Sequence, residues 1–213
     1  MDVYEHLPES IVWLINKLEI AHTYNFKYNI NTFYHNIWVD SWKEKIPTEF
    51  NTILDYMNEN KIILEKDRLL SIGIIQSFPD CEDQQFHFDY LNNTTTVFIP
   101  LVDLDNDNGT EYIQMLNSNY EEVVDILMPF NYTTDSYDTL KHQVDFDDSV
   151  VTRVNAQKYS IVKLNKYVFH RGVKNNKPHN KVMFQFLFSD NPDYVFPFRD
   201  RFYSNASEGT DDM

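Results

Sequence analysis

Two histidines, one aspartate and one lysine are the residues of this chain whose types and spacing could do chemistry together. His87 and Asp89 stand two apart in the run QQFHFDY, which alternates as a strand does, so both side chains leave the same face. His170 lies in a second β-like run, KYVFHRGV, and Lys181 opens a third, KVMFQFLFS, eleven positions later. Two imidazoles and one carboxylate form a facial set that binds Fe(II) and leaves coordination positions open. A lysine that opens the next strand would be adjacent across a sheet, where its ammonium could anchor an acidic cosubstrate. The His-x-Asp spacing carries no weight alone: seven histidines and 21 aspartates in 213 residues give about 0.7 such pairs by chance. Its weight comes from the conjunction with His170 and Lys181 on later strands.

These side chains need strands to hold them, and the chain supplies a series. Runs 69–78, 84–90, 94–103, 110–116, 149–154, 159–165, 166–173 and 181–189 are short, β-rich and separated by turn-formers such as Asn92-Asn93 and DLDNDNG. Eight closely spaced strands predict a mainly β fold, an antiparallel sandwich or barrel. The first third reads as helical. Ile11, Leu14, Ile15 and Leu18 form one helical stripe, and Thr48 caps a second helix carrying Phe50, Ile53, Leu54 and Met57. Residues 22–46 carry no assignable pattern. The expected organisation is one domain over 1–206, with helical support in 1–67 and a β-barrel core in 68–189. An acidic insertion (117–148) interrupts that core, and the tail 207–213 is disordered.

Each strand face has its own character. Val182, Phe184, Phe186 and Phe188 share one face of 181–189, and Lys181, Met183, Gln185 and Leu187 share the other. In 84–90, Phe86, Phe88 and Tyr90 oppose Gln85, His87 and Asp89. The simplest arrangement packs the aromatic faces under the N-terminal helices and turns the mixed faces inward. A wholly dry core would not hold His, Asp, Gln and Lys, so something polar is expected inside.

Composition removes competing chemistries. The four glycines (Gly73, Gly109, Gly172, Gly209) compare with about fifteen at average usage. None has the spacing of a dinucleotide fingerprint, a P-loop or a nucleophile elbow. A single cysteine, Cys81, excludes an intramolecular disulfide, a cysteine-rich zinc site and an iron–sulfur cluster. Its neighbours Asp80, Glu82 and Asp83 make a poor setting for a nucleophilic thiolate. The net charge of −15 and the lack of a Lys/Arg cluster argue against a nucleic-acid partner. No membrane span and no signal peptide are legible, so a cytoplasmic protein is expected. DLDNDNG misses a calcium loop because Gly109 falls seventh and Gln114 stands twelfth, so it reads as a solvated turn.

The pattern His87-x-Asp89, His170 and Lys181 resembles that of the Fe(II)/2-oxoglutarate-dependent dioxygenases over about residues 69–189. FIPLVDLDNDNGTEYI is similar to the family's segment after the first ligands. HRGVKNNKPHNKVMFQFLF is similar to the end of the barrel in phytanoyl-CoA dioxygenase-like and prolyl-hydroxylase-like members. The anchor is Lys where phytanoyl-type enzymes usually carry Arg, and the Pro-Gly-Ser-His that often follows the Asn-Gly turn is absent. The resemblance implies a double-stranded β-helix (jelly roll) with iron on His87, Asp89 and His170. It further implies that Lys181 pairs with the far carboxylate of 2-oxoglutarate, that O2 is consumed, and that succinate and CO2 leave as a substrate is hydroxylated. Gln76 and Thr96 are candidates for further cosubstrate contacts. The substrate class stays open between a small molecule and a peptide, as does the oligomeric state. The acidic insertion together with Asp80, Glu82 and Asp83 would favour a cationic substrate. Two other readings remain: a non-catalytic jelly roll used for binding or structure, and a cupin-like metal enzyme that does not use 2-oxoglutarate.

Overall fold

In the computed structural model of the chain, residues 2–4, 6–17, 24–29, 32–37, 47–84, 86, 94–114, 151–165, 168–191 and 193 are described. Two helices form where the apolar stripes predict them: α1 (Glu9–Lys17) and α2 (Pro47–Glu59). Helix α2 starts one residue before Thr48, with Pro47 in the first turn, where a missing N–H costs nothing. Its far end closes in a Schellman pattern. Ile62 N donates to Met57 O at 2.9 Å, Lys61 N donates to Asn58 O at 2.9 Å, and Lys61 takes a left-handed φ of 56°.

The remaining elements are strands. In chain order they are β1 (Asp2–Tyr4), β2 (Tyr24–Asn29), β3 (Thr32–Ile37), β4 (Arg68–Ser77), β5 (Thr94–Pro100), β6 (Thr110–Gln114), β7 (Thr152–Arg153), β8 (Ile161–Asn165), β9 (Val168–Gly172) and β10 (Lys181–Ser189). They form two antiparallel sheets: a seven-stranded one in the order β1-β8-β5-β10-β4-β3-β2 and a three-stranded one in the order β7-β6-β9. The N-terminal third is therefore not only helical. The hairpin β2–β3 extends the large sheet beyond β4, and β1 pairs with β8 at the opposite edge. Of the expected strand 84–90, Gln84 and Phe86 are described and are not in a strand, and the rest lies outside the described residues. The insertion 117–148 and the tail 207–213 also lie outside them.

Two apolar layers flank the large sheet. On one face Phe184, Phe186 and Phe188 pack with Ile72, Ile74, Val97, Ile99 and Ile161 beneath Ile11 of α1 and Ile53 and Met57 of α2. This is the helix-covered aromatic face expected for β10. On the other face Ile75, Phe98, Val162, Leu164 and Met183 meet Val168 of the small sheet, together with Leu104, Val154 and Ala156. Lys181, Met183 and Gln185 point into this second layer, between the sheets. The architecture is thus mainly β, two antiparallel sheets face to face with helices on the outer side of the larger. No helix among the described residues is long and apolar enough to cross a membrane.

The few glycines serve space rather than left-handed turns. No described glycine has a positive φ, and the positive-φ positions among the described residues are Lys61, Asp80 and Tyr159. A Cβ on Gly109 would stand 2.6 Å from the carbonyl oxygens of both Asp105 and Val154. One on Gly172 would stand 2.6 Å from Gln84 Oε1, the atom that accepts the Gly172 N–H at 2.8 Å.

Candidate active site

His170 sits in the middle of β9, opposite Tyr112 of β6, and is only 4% exposed. Strand alternation places it on the same face as Val168, which packs between the sheets. Its ring meets Phe98 of the facing sheet edge-on, with centroids 6.3 Å apart. Nδ1 lies 3.3 Å from the Val168 carbonyl oxygen. A carbonyl can only accept, so this long contact favours the tautomer with the proton on Nδ1 and the lone pair on Nε2. That is the state a metal-binding imidazole needs.

Lys181 opens β10 opposite Ser77 of β4 and is 1% exposed. Its Nζ reaches the Val173 carbonyl at 3.5 Å. Among the described residues no carboxylate lies within ion-pair distance of it. Burial strips water from the ammonium and pushes the lysine from 10.5 down to about 8, and the nearby Cys81 and Asp83 only partly offset this. Among the described residues this buried cation has one weak carbonyl contact and no counter-ion, and burying a charge is costly unless it is paired.

The alternation predicts a polar interior, and the inner face of the large sheet carries one. Ser71, Ser77, Thr94, Thr96 and Gln185 are all buried. By register Gln185 faces Gly73 on one side and Phe98 on the other, and Thr96 faces Leu187 and Leu164. Thr96 therefore lies on the inner face, as a cosubstrate contact requires. Gln76 does not. It pairs with Val182, whose side chain joins the helix-covered layer, so Gln76 projects to the wrong side of the sheet.

His87 and Asp89 lie outside the described residues. Among the described residues no three His, Cys, Asp or Glu side chains gather as a metal site. The segment that leads to His87 is held against β9. Gln84 N donates to Gly172 O at 2.8 Å, Gly172 N donates back to Gln84 Oε1, and Phe86 stacks on Phe169 at 5.4 Å. Phe86 was expected under the helices. It instead covers the outer face of the small sheet, where Arg171 lies 4.7 Å over its ring.

Several charges outside the interior are paired within the chain. Arg153 and Arg171 both bind Glu111. Burial alone would raise the Glu111 carboxyl, but the hydrogen bonds from the two arginines outweigh it and hold the group below its ordinary value. Asp83 accepts the Lys174 backbone N–H at 2.6 Å and lies 3.8 Å from the Arg171 guanidinium, and Asp80 pairs with Lys174 Nζ at 3.1 Å, so Asp80 and Asp83, two of the acidic residues expected to attract a cation, already have basic partners. The DLDNDNG run forms a turn, as expected. Lys177 Nζ lies 2.7 Å from Asp105 and 3.0 Å from Asp107, filling the position a cation would take. Cys81 is buried and its Sγ accepts the Asn175 N–H at 3.4 Å.

The fold has known counterparts. HygX from Streptomyces hygroscopicus, crystallised with nickel and 2-oxoglutarate bound, superposes with a TM-score of 0.56 at 12% identity, over 90% of this chain and 80% of that one. The chain has the fold of the non-heme 2-oxoglutarate-dependent oxygenases. AviO1 from Streptomyces viridochromogenes Tue57 aligns equally well, with a TM-score of 0.56 at 12% identity over 91% and 90% of the two chains. SnoK, a non-heme α-ketoglutarate-dependent carbocyclase from nogalamycin biosynthesis, gives 0.50 at 12% identity over 85% and 71%. No family model and no curated protein sequence matches the chain. The likeness to the oxygenase fold therefore comes from the arrangement of strands and not from overall sequence identity.

Sequence reasoning missed Asn175, Tyr112 and Phe98. Tyr112 and Phe98 sit in strand runs like any core aromatic; the pairing of β6 with β9 sets Tyr112 beside His170, and the facing of the two sheets brings Phe98 to it. Asn175 stands in the turn-like stretch NNKP, where asparagine is expected for local reasons.

Proposed function

We propose that this protein is a non-heme Fe(II)- and 2-oxoglutarate-dependent dioxygenase that hydroxylates a small-molecule or peptidyl substrate. The observation that carries this reading is Lys181: a fully buried ammonium with no described carboxylate partner, in the same interior as a buried histidine. Such a site is completed by an anion, and a dicarboxylate that also reaches a metal on His170 suits it.

Iron would be held by His87, Asp89 and His170, and when bound it supplies the activation of O2 that couples 2-oxoglutarate decarboxylation, giving succinate and CO2, to oxidation of the substrate. Lys181 would fix the far carboxylate of 2-oxoglutarate, with Thr96 on the same inner face. Val168 O orients the His170 ring through Nδ1, and Phe98 and Met183 keep water away from the lysine–histidine interior. The complete fold would be a double-stranded β-helix, with the segment through Gln84 and Phe86 lying beside β9. The Gln84–Gly172 hydrogen bonds and the Phe86–Phe169 stack support that placement. The net charge of −15 and the single cysteine support a cytoplasmic enzyme that does not act on nucleic acid.

Purified protein given Fe(II), ascorbate and 2-oxoglutarate should release succinate slowly without substrate, and His87→Ala and His170→Ala should abolish this. Failure of the wild type to bind 2-oxoglutarate by calorimetry in the presence of Fe(II) would overturn the proposal. Metal binding without 2-oxoglutarate binding would favour the cupin-like reading, and binding of neither the non-catalytic one.

A further inference from the structure

Between the strand that carries His170 and the strand that opens on Lys181 runs the segment 173–180. One side chain anchors it. Asn175 is 0% exposed. Its Nδ2 donates to Ser77 O at 3.1 Å and to His179 O at 2.8 Å, and its Oδ1 accepts from Lys177 N at 3.2 Å. Both donors and the acceptor of the amide are therefore in use. Its backbone is engaged as well. The N–H donates to Cys81 Sγ at 3.4 Å, and the carbonyl accepts from Asp80 N at 2.8 Å.

The partners matter more than their number. Ser77 is the register partner of Lys181 at the end of β4. His179 lies two residues before Lys181, and Val173, whose carbonyl faces Lys181 Nζ, lies two residues before Asn175. Asp80 and Cys81 begin the segment that runs through Gln84 and Phe86 toward His87. One buried residue thus ties together the three stretches of chain that carry His170, Lys181 and, by sequence, His87: its backbone holds Asp80 and Cys81, and its side chain joins Ser77 O to His179 O. A primary amide can do this. A carboxylate of the same shape keeps the acceptor, loses both donors, and sets an oxygen against two carbonyl oxygens.

We infer that Asn175 is a positioning residue that holds the wall around Lys181 and so sets the affinity for the anionic cosubstrate; this rests on the oxygenase reading above. Asn175 touches neither the cosubstrate nor the metal in this assignment. It acts through the Ser77–Lys181 pair and the Val173 carbonyl.

The test compares Asn175→Asp, which removes both donors, with Asn175→Ser, which keeps one, in the full chain at a temperature where each is folded. Ile53→Ala in α2 serves as a control that loses stability far from the site. Calorimetry with 2-oxoglutarate and Mn(II) should give a Kd raised about tenfold in Asn175→Asp, the effect of roughly one net hydrogen bond, with an intermediate rise in Asn175→Ser and none in Ile53→Ala. The Lys181 Nζ resonance, followed by NMR against pH, should titrate higher in both Asn175 variants as water gains access. If Asn175→Asp does not fold, Asn175→Ser carries the test. A Kd within twofold of wild type in a folded Asn175 variant would overturn the inference. If the wild type binds no 2-oxoglutarate, the oxygenase reading fails, and an unmoved Lys181 titration then overturns the positioning role by itself.

Discussion

Replacing Lys181 with methionine should stabilise the protein without its cosubstrate and abolish cosubstrate binding. Methionine is close in length and adaptable in shape, and it needs no solvation. Burial lowers Lys181 from 10.5 to about 8. At about 1.4 kcal/mol per pKa unit, keeping this ammonium charged in the fold costs roughly 3 kcal/mol. The folded state releases its proton before the unfolded state does. The unfolded chain therefore binds more protons between about pH 8 and 10.5, and wild-type stability rises with pH across that window. Below pH 8 the full cost is present. The lysine faces Cys81, Asp83 and the Val173 carbonyl, and the first two already reduce the cost without removing it. At pH 7 Lys181→Met should thus melt higher by roughly 6–12 °C, at about 2–4 °C per kcal/mol for a chain of this size. The gap should shrink as pH is raised toward 10. Calorimetry of both proteins from pH 7 to 10, with and without 2-oxoglutarate, reads all of this. Adding 2-oxoglutarate should raise the wild-type melting point and leave that of Lys181→Met in place. Wild-type affinity should fall by up to tenfold per unit above pH 8 as the ammonium is lost. A Lys181→Met protein that melts at or below wild type at pH 7 would refute the reasoning, because the lysine would then be satisfied by the fold alone.

Two further expectations concern the backbone. Gly109→Ala forces a methyl against the Asp105 and Val154 carbonyl oxygens, which are main chain and cannot swing aside, and should cost about 1–3 kcal/mol or more in urea unfolding. An unchanged midpoint would mean that this turn is free to open. Lys61→Gly relieves a left-handed residue at the end of α2 and should stabilise by about 1 kcal/mol, seen as a higher melting temperature; a lower one would show that the Lys61 side chain contributes more than its backbone strain costs.

Local pattern made much of the fold legible. Alternation separated Val182, Phe184, Phe186 and Phe188 from Lys181, Met183 and Gln185, and the two groups do lie on opposite sides of the large sheet. A period of two records which face a residue takes, whatever its strand later pairs with. The same reasoning identified Ile53 and Met57 as the inner stripe of α2 and DLDNDNG as a turn. It failed where the outcome depended on a distant neighbour. Residues 24–29 and 32–37 are polar and aromatic without clear period, and they form strands because β4 offers an edge for β3 to pair with and β3 in turn pairs with β2. Phe86 belongs to an aromatic face, yet which apolar surface it covers is decided by Phe169, far along the chain. Gln76 was a candidate for a cosubstrate contact, and its register with Val182 turns it to the helix-covered side.

By itself, then, the sequence nominated the candidate site, His87, Asp89 and His170 as possible metal ligands and Lys181 as a possible anchor for an anion, and it excluded glycine-built phosphate loops. These follow from residue type and short spacing. Only the tertiary structure decided that Lys181 is fully buried without a described carboxylate partner, that His170 meets Phe98 across two sheets, and that Asn175 ties the intervening segment to β4. Each of these is a contact between residues far apart in the chain. Such contacts depend on how sheets face and which edges pair, and no local period encodes that.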